Sequence, residues 1–340
     1  MNRTRIAIPL HRSGRWVENV AANLHRLAGH AAITVSDATG EDDAFELLRA
    51  EFGSADGVEW LGPRPIAPGW VGHCNELLAR STEPYFAWLP HDDEIGSDWV
   101  DDAENVLDST PWAVLALGTL VPVDEPGVTN GGHRIEPFAP FSDRDDRARV
   151  RRAAEICAFG DHSLLGAAFR GVMRRDRAVP LPASHEGDEW ADVLWAVRML
   201  VRGPFAAMPA VYGKRWHPQN THSSWGDVRR LEEFRTRLLP SALLDLDAAE
   251  REVVLTSAWT AEVAARSAEA STLRAEVAAR SAEASALREE AAAYARVAAE
   301  LHEAFESSRS WRVTGPLRKL STRWKSLTRR RERRGQDEGW

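Results

Sequence analysis

Over the first two thirds of the chain, apolar positions switch between short continuous runs and helical recurrences. Ile6 to Leu10 is an apolar run ended by a turn, after which Trp16, Val17, Val20, Ala21, Leu24 and Leu27 recur on one helical face. Ile33 to Val35 predicts a second strand that stops at Ser36-Asp37, and Ala44, Phe45, Leu47 and Leu48 sit in a second helix. Val58 to Leu61 predicts a third strand; the loop LGPRPIAPGW then leads to a helix near Gly72 to Arg80. Tyr85 to Leu89 predicts a fourth strand, and a helix with Trp99, Val100, Ala103, Val106 and Leu107 inward precedes a strand from Ala113 to Leu117. Strands that alternate with helices imply an α/β fold, a mainly parallel sheet flanked by helices. Ligands of such sheets bind outside the carboxyl ends of the strands.

The pattern changes after about residue 245. AEVAARSAEASTLR (261–274) is followed at once by AEVAARSAEASALR (275–288), a difference only at Thr272 and Ala286. The alanine and arginine content predicts helix. Fourteen residues make two heptads, and with Val263 at position a the seam carries Leu273, Val277, Leu287, Leu301 and Phe305 but also Arg266 and Arg280. That half-apolar seam fits a weak coiled coil, so a homo-oligomer through residues 255–305, or a solvated single helix. Gly315-Pro316 breaks the helix, and Leu317, Leu320, Trp324 and Leu327 then recur among lysines and arginines. Three segments result: an α/β domain over 1–245, a helical repeat over 246–306 and a basic amphipathic tail over 307–340.

Charge sharpens that division. Residues 309–334 hold eleven lysines and arginines against one acid, Glu332, while the whole chain carries −8, so the remainder is strongly acidic. Such a body repels phosphate, which argues against a nucleic-acid partner, whereas the tail suits an anionic membrane surface. Cys74 and Cys157 give neither a disulfide framework nor a zinc spacing. With no long apolar run and an apolar patch near the N-terminus too short for a signal peptide, a cytoplasmic location is expected, with peripheral attachment to the inner face of the plasma membrane through the tail.

The segment YFAWLPHDDEIGSDW (85–99) carries the chemistry. A greasy strand runs straight into His91, Asp92, Asp93 and Glu94. Adjacent carboxylates repel unless water or a cation meets them, and a divalent ion such as Mg²⁺ or Mn²⁺, shared with a phosphate, would do so. Asp37 ends an earlier strand in the same way. A strand ending in a polar loop would also account for any one of these acids.

In this order the segments resemble a family 2 glycosyltransferase of the nucleotide-sugar-binding GT-A fold. IAIPLHRSGRWVENV is similar to its opening strand and helix, and TVSDATGEDD to the segment that holds the nucleotide base. APGWVGHCNELLARSTEPYFAWLPHDDE resembles the approach to the metal-binding motif, and WADVLWAVRMLVRGPFAAMPAVYGKRWH the acceptor side. The resemblance implies a nucleotide-diphosphate sugar donor contacted by Pro9, Arg12, Asp37, Asn75 and Asp92. It implies Mn²⁺ or Mg²⁺ on Asp93, with His217 nearby, and a glycan or lipid-linked acceptor. The base, an aspartate roughly eleven residues before the glycine that ends its helix, becomes Asp192 counted back from Gly203; Asp188 is the alternative. His11 and Arg12 depart from the aromatic residue and asparagine common after the first strand. Lys214 and Arg215 read either as cations near the diphosphate or as surface charge. Trp70, Trp216 and Trp225 fall in expected loops near the site, where an indole face stacks on a sugar or base. Two rivals stand beside a transferase: a nucleotidyltransferase, against which the single glycine and absent lysine of PLHRSGRW argue, and a non-catalytic sugar-nucleotide-binding scaffold.

Overall fold

A computed structural model describes residues 2–63, 69–123, 134–136, 139–146, 148–149, 152–153, 163–182, 190–215 and 248–308, with 314, 319–322 and 324 in the tail. Eight strands form one sheet in the order β3-β2-β1-β4-β7-β6-β8-β5. They are β1 (Thr4–Leu10), β2 (Ala32–Asp37), β3 (Val58–Leu61), β4 (Tyr85–Trp88), β5 (Glu94–Ile95), β6 (Leu115–Val123), β7 (Val172–Arg174) and β8 (Phe205–Arg215). β3, β2, β1 and β4 run parallel, β7 lies antiparallel between β4 and β6, β8 is parallel to β6, and β5 closes the far edge antiparallel to β8. The mainly parallel α/β sheet expected from the alternation is therefore present, with two short strands set against the direction of the rest.

The helices are α1 (Val17–Leu27), α2 (Ala44–Phe52), α3 (Gly69–Arg80), α4 (Trp99–Ser109), α5 (Ser163–Ala167), α6 (Ala191–Arg202) and the 60-residue α7 (Ala248–Ser307). The inward positions read from the sequence are the buried ones: Val20, Leu24 and Leu27 in α1, and Trp99, Val100, Ala103 and Leu107 in α4. Side chains that alternate across β1 feed two cores, with Ala7 packed among Phe86, Trp88 and Trp195, and Ile6 and Ile8 among Leu24, Val35 and Trp99. Of the tryptophans expected in the core, Trp88, Trp99 and Trp195 are fully buried and Trp112 half-buried, while Trp70 stands in the first turn of α3 rather than in a loop, edge-on to Phe169.

Two glycines fix the β6–β8 region. At Gly118, where the pairing slips between Leu117 and Thr119, a Cβ would lie 2.2 Å from the carbonyl oxygen of Ala210. At Gly203, which ends α6 by donating to the carbonyl of Met199 (3.2 Å), a Cβ would lie 2.4 Å from Val114. Only a residue without a side chain lets the helix turn so tightly onto β6.

The chain divides into two compact units, Met1–Arg266 and Ser267–Trp340, so the long helix spans the boundary. Its start at Ala248 lies close to the change in composition, and Leu255, in its second turn, packs on the first unit's core. Beyond that point Val263, Leu273, Val277, Leu287, Leu301 and Phe305 are each more than half exposed within a single chain. Among the described residues no helix is long and apolar enough to cross a membrane.

Candidate active site

The carboxyl ends of β1, β2 and β4 form one edge. Asp37, the last residue of β2, pairs in register with Leu10 of β1, and Leu89 just past β4 donates to the carbonyl of Ala7 (2.9 Å). Adjacent strands lie about 4.8 Å apart, so with β1 between them the ends of β2 and β4 are separated by roughly 10 Å. Asp37 is buried, and its Oδ1 accepts from the backbone of Thr39 (2.8 Å) and Gly40 (3.0 Å), which folds the loop after β2 back on itself. Arg12, with a left-handed φ of 48°, pairs with Glu41 at the surface. Pro9 is half-buried in β1, opposite Ser36.

The HDDE loop is clamped from α1. Asn19 donates to the carbonyls of His91 and Asp93 (both 2.9 Å), and Asn23 donates to the Asp93 carbonyl (2.8 Å). The His91 Nδ1 meets Ser13 Oγ at 2.5 Å while its ring stacks on Trp16. So two polar positions of α1, Asn19 and Asn23, turn to this loop, while Val20, Leu24 and Leu27 face the core.

Asp93 is 1% exposed and lies among donors. Its Oδ2 accepts from Arg170 Nε (3.2 Å) and the Tyr212 hydroxyl (3.0 Å); its Oδ1 accepts from the Arg215 backbone N–H (3.1 Å). Burial first, then the neighbouring Asp92, pushes its carboxyl up to about 6, against the pull of Arg170 and Lys214. Tyr212 is held well above the ordinary phenol range, by burial and then by Asp93.

Arg170 ends a 3-10 turn over Ala168–Arg170 that follows α5. Besides Asp93 it reaches the Gly166 carbonyl (3.2 Å) and approaches Asp192 Oδ2 to 3.9 Å. One guanidinium thus bridges two acids a hundred residues apart in sequence. Asp192 stands in the first turn of α6, where the helix N-terminus favours a carboxylate, and its Oδ1 accepts from the Val193 N–H (2.9 Å). Burial raises its pKa, against Arg170 and Lys214. The preceding Trp190 adopts φ 70°; among the described residues it and Arg12 are the non-glycine residues in the left-handed region, and both flank this site.

Lys214 and Arg215 are not surface charge. Lys214 is 4% exposed, and burial, then Arg170, pulls its ammonium down to about 7, with Asp93, Asp192 and Asp92 pulling the other way. Arg215 pairs with Glu94 and lies over the Trp16 ring at 5.5 Å. Three cations and four acids therefore share this pocket of the fold.

Of the expected site residues, Asp93 and Asp192 meet through Arg170, with Asp92 beside them, and Asp37 lies farther along the same sheet edge. Asn75 does not join them. It faces the chain near Leu181, donating to that residue's carbonyl (2.8 Å) and accepting from its N–H (2.7 Å). One N–H and one oxygen lone pair of its amide are thereby used by the backbone. Asp188, His217, Trp216 and Trp225 lie outside the described residues. Arg170 and Tyr212 escaped the sequence reading; the one signal was an arginine just before the isolated apolar pair Val172-Met173, too slight to single out.

No protein-family model matches the chain, and no curated protein matches it in sequence. Solved structures do. TarS from S. aureus in complex with UDP-GlcNAc aligns over 78% of this chain and 73% of its own, at TM-score 0.53 and 16% identity. TarS without that ligand in its description aligns over 78% and 72%, at TM-score 0.51 and 15% identity. A UDP complex of the same protein covers 76% and 71%, at TM-score 0.51 and 14% identity. This chain shares their fold. The likeness is one of backbone path, and it agrees with the GT-A architecture that the sequence resemblance implied.

A metal ion on Asp93, as expected from the sequence, would have to share that carboxylate with the Arg170, Tyr212 and Arg215 donors that already meet it. Among the described residues no group of three or more His, Cys, Asp or Glu side chains is gathered for a metal ion. Asp92 is half-exposed at the same turn. One carboxylate completed by phosphate and water is a coordination that Mg²⁺ commonly uses.

Proposed function

We propose that this chain is a glycosyltransferase that moves a sugar from a nucleotide-diphosphate donor to an acceptor hydroxyl. The observation that carries the reading is the Asp192 carboxylate, 14% exposed on the N-terminus of α6 and 3.9 Å from a guanidinium that also binds the HDDE loop. That arrangement puts a proton acceptor and fixed positive charge at the carboxyl edge of a sheet whose fold is shared with a UDP-GlcNAc-binding protein. Asp37 serves the nucleotide end, with Pro9 and Arg12 lining the approach.

In the reaction, Asp192 takes the proton of the acceptor hydroxyl while its oxygen bonds to the anomeric carbon. The bond from that carbon to the diphosphate breaks, its electron pair leaves with the nucleoside diphosphate, and the anomeric configuration inverts. Arg170 and Lys214 hold positive charge near the departing group and keep Asp192 ionised. A Mn²⁺ or Mg²⁺ ion, when bound, would be held by Asp92 and would supply charge neutralisation to the diphosphate. Asp188 and His217 remain the alternative base and metal ligand. The basic tail attaches the enzyme to anionic lipid at the inner membrane face, which suits a lipid-linked or surface-glycan acceptor.

Thermal shift with a set of nucleotide sugars, with and without Mn²⁺, tests donor binding, and release of nucleoside diphosphate tests turnover. Asp192→Asn is expected to bind donor but not turn it over. Unchanged turnover would overturn the assignment of the base and promote Asp188. Donor binding without turnover in the parent chain, across a broad set of acceptors, would favour the scaffold reading.

A further inference from the structure

The exposed face of α7 repeats every fourteen residues, and that repeat encodes more than helix. In the heptad frame that starts with Val263 at position a, Val277 and Phe305 also fall at a, and Leu273, Leu287 and Leu301 at d. All are more than half exposed in the single chain. β-branched residues at a with leucine at d favour two strands. The flanking positions then decide direction. Glu269 and Glu283 fall at g; Arg274 and Arg288, five residues later, fall at e.

We propose that two copies of this chain join through α7 as a parallel, in-register coiled coil. In that arrangement each g residue faces the e residue five places on in the partner, so Glu269 meets Arg274 and Glu283 meets Arg288 on both sides of the seam. An antiparallel pair would set g against g and e against e, glutamate against glutamate and arginine against arginine. The fourteen-residue identity makes both heptad pairs carry the same charges, which reinforces one register. Arg266 and Arg280 both fall at d, and the central one, Arg280, is the more serious misfit. Its guanidinium is already bound within its own chain to Glu276 (2.6 Å), and its aliphatic stem can cover the seam. The inference stands apart from the transferase reading. It has a consequence for it: both basic tails follow the same end of the coil, so two tails would meet an anionic surface together and bind with avidity.

Light scattering of the full chain tests strand number. A mass twice the 37.8 kDa of one chain is expected; one chain mass, or three or more, overturns the proposal. Ala298→Cys, oxidised mildly beside the parent chain as control for Cys74 and Cys157, tests direction. A covalent dimer absent from the control is expected, whereas cross-linking only when Ala298→Cys is mixed with Ala270→Cys would reveal antiparallel pairing and overturn it. Glu269→Arg with Glu283→Arg should weaken association by about tenfold or more, since four attractive contacts become repulsive. Adding Arg274→Glu and Arg288→Glu should restore the parent affinity; no recovery, with helicity intact by circular dichroism, would overturn the register.

Discussion

Two arginine–carboxylate pairs show what burial does to one chemistry. Arg280 and Glu276 on α7 lie 2.6 Å apart with side chains 78% and 52% exposed. Arg170 and Asp93 lie 3.2 Å apart at 12% and 1% exposure. The shorter contact matters less. Water competes for every charge on the helix surface, so such a pair contributes a few tenths of a kcal/mol. At Asp93 no water competes, and removing one partner strands the other in a medium that cannot solvate it. The same contrast separates the two regions as wholes: one gathers unlike charges from distant segments into an interior cluster, the other spaces them along a solvated surface.

The contrast can be broken or sharpened by substitution. The largest effect is expected at the buried end: Asp192→Asn should lower the rate of transfer by about 10²–10⁴-fold, the usual range for general acid–base groups, in an assay of nucleoside diphosphate release. Arg170→Met should cost about 3–5 kcal/mol in urea unfolding, because Asp93 would be left buried against the Tyr212 hydroxyl without its guanidinium. A pH profile gives a finer test. Asp192 accepts a proton only when ionised, and burial raises its pKa, so activity should fall as pH drops through a value above the ordinary carboxylate range. Arg170 pulls that pKa down, so in any Arg170 variant that still folds the acid limb should move to higher pH. At the other extreme, Glu276→Gln should change the thermal stability of the helix by less than about 0.5 kcal/mol. A loss at Glu276 as large as that at Arg170 would remove burial as the explanation.

Much of the fold was legible because its strands and helices are long enough to impose a period. Val58 to Leu61 was read with its observed bounds, and β1, β2 and β4 to within two residues. β5, β7 and β8 were not drawn from the pattern: β7 and β5, at three and two residues, carry no periodicity and are strands only through pairing with β4, β6 and β8, while β8 contains Pro209 and Gly213, which weaken a strand reading. The site divides in the same way. Asp37, Asp92 and Asp93 were singled out because strand ends can be located along a chain, whereas Asp192 was reached only through the family resemblance, counted back from Gly203. That the Asn75 amide bonds the backbone of Leu181, distant in sequence, was not legible from the local pattern. Lys214 could not be told from surface charge until β8 was seen between β6 and β5.

By itself, the sequence determined the alternation of strand and helix, the helical repeat and its charge pattern, and the basic tail. Each follows from neighbours a few residues apart, where backbone geometry alone decides which side chains share a face. Only the tertiary structure decided that Arg170 joins Asp93 to Asp192, that Asp93 is enclosed by donors while Asp92 stays half-exposed, and that Asn75 serves the fold. Those are contacts between segments tens to a hundred residues apart, and no local rule of spacing can specify which buried charge finds which partner.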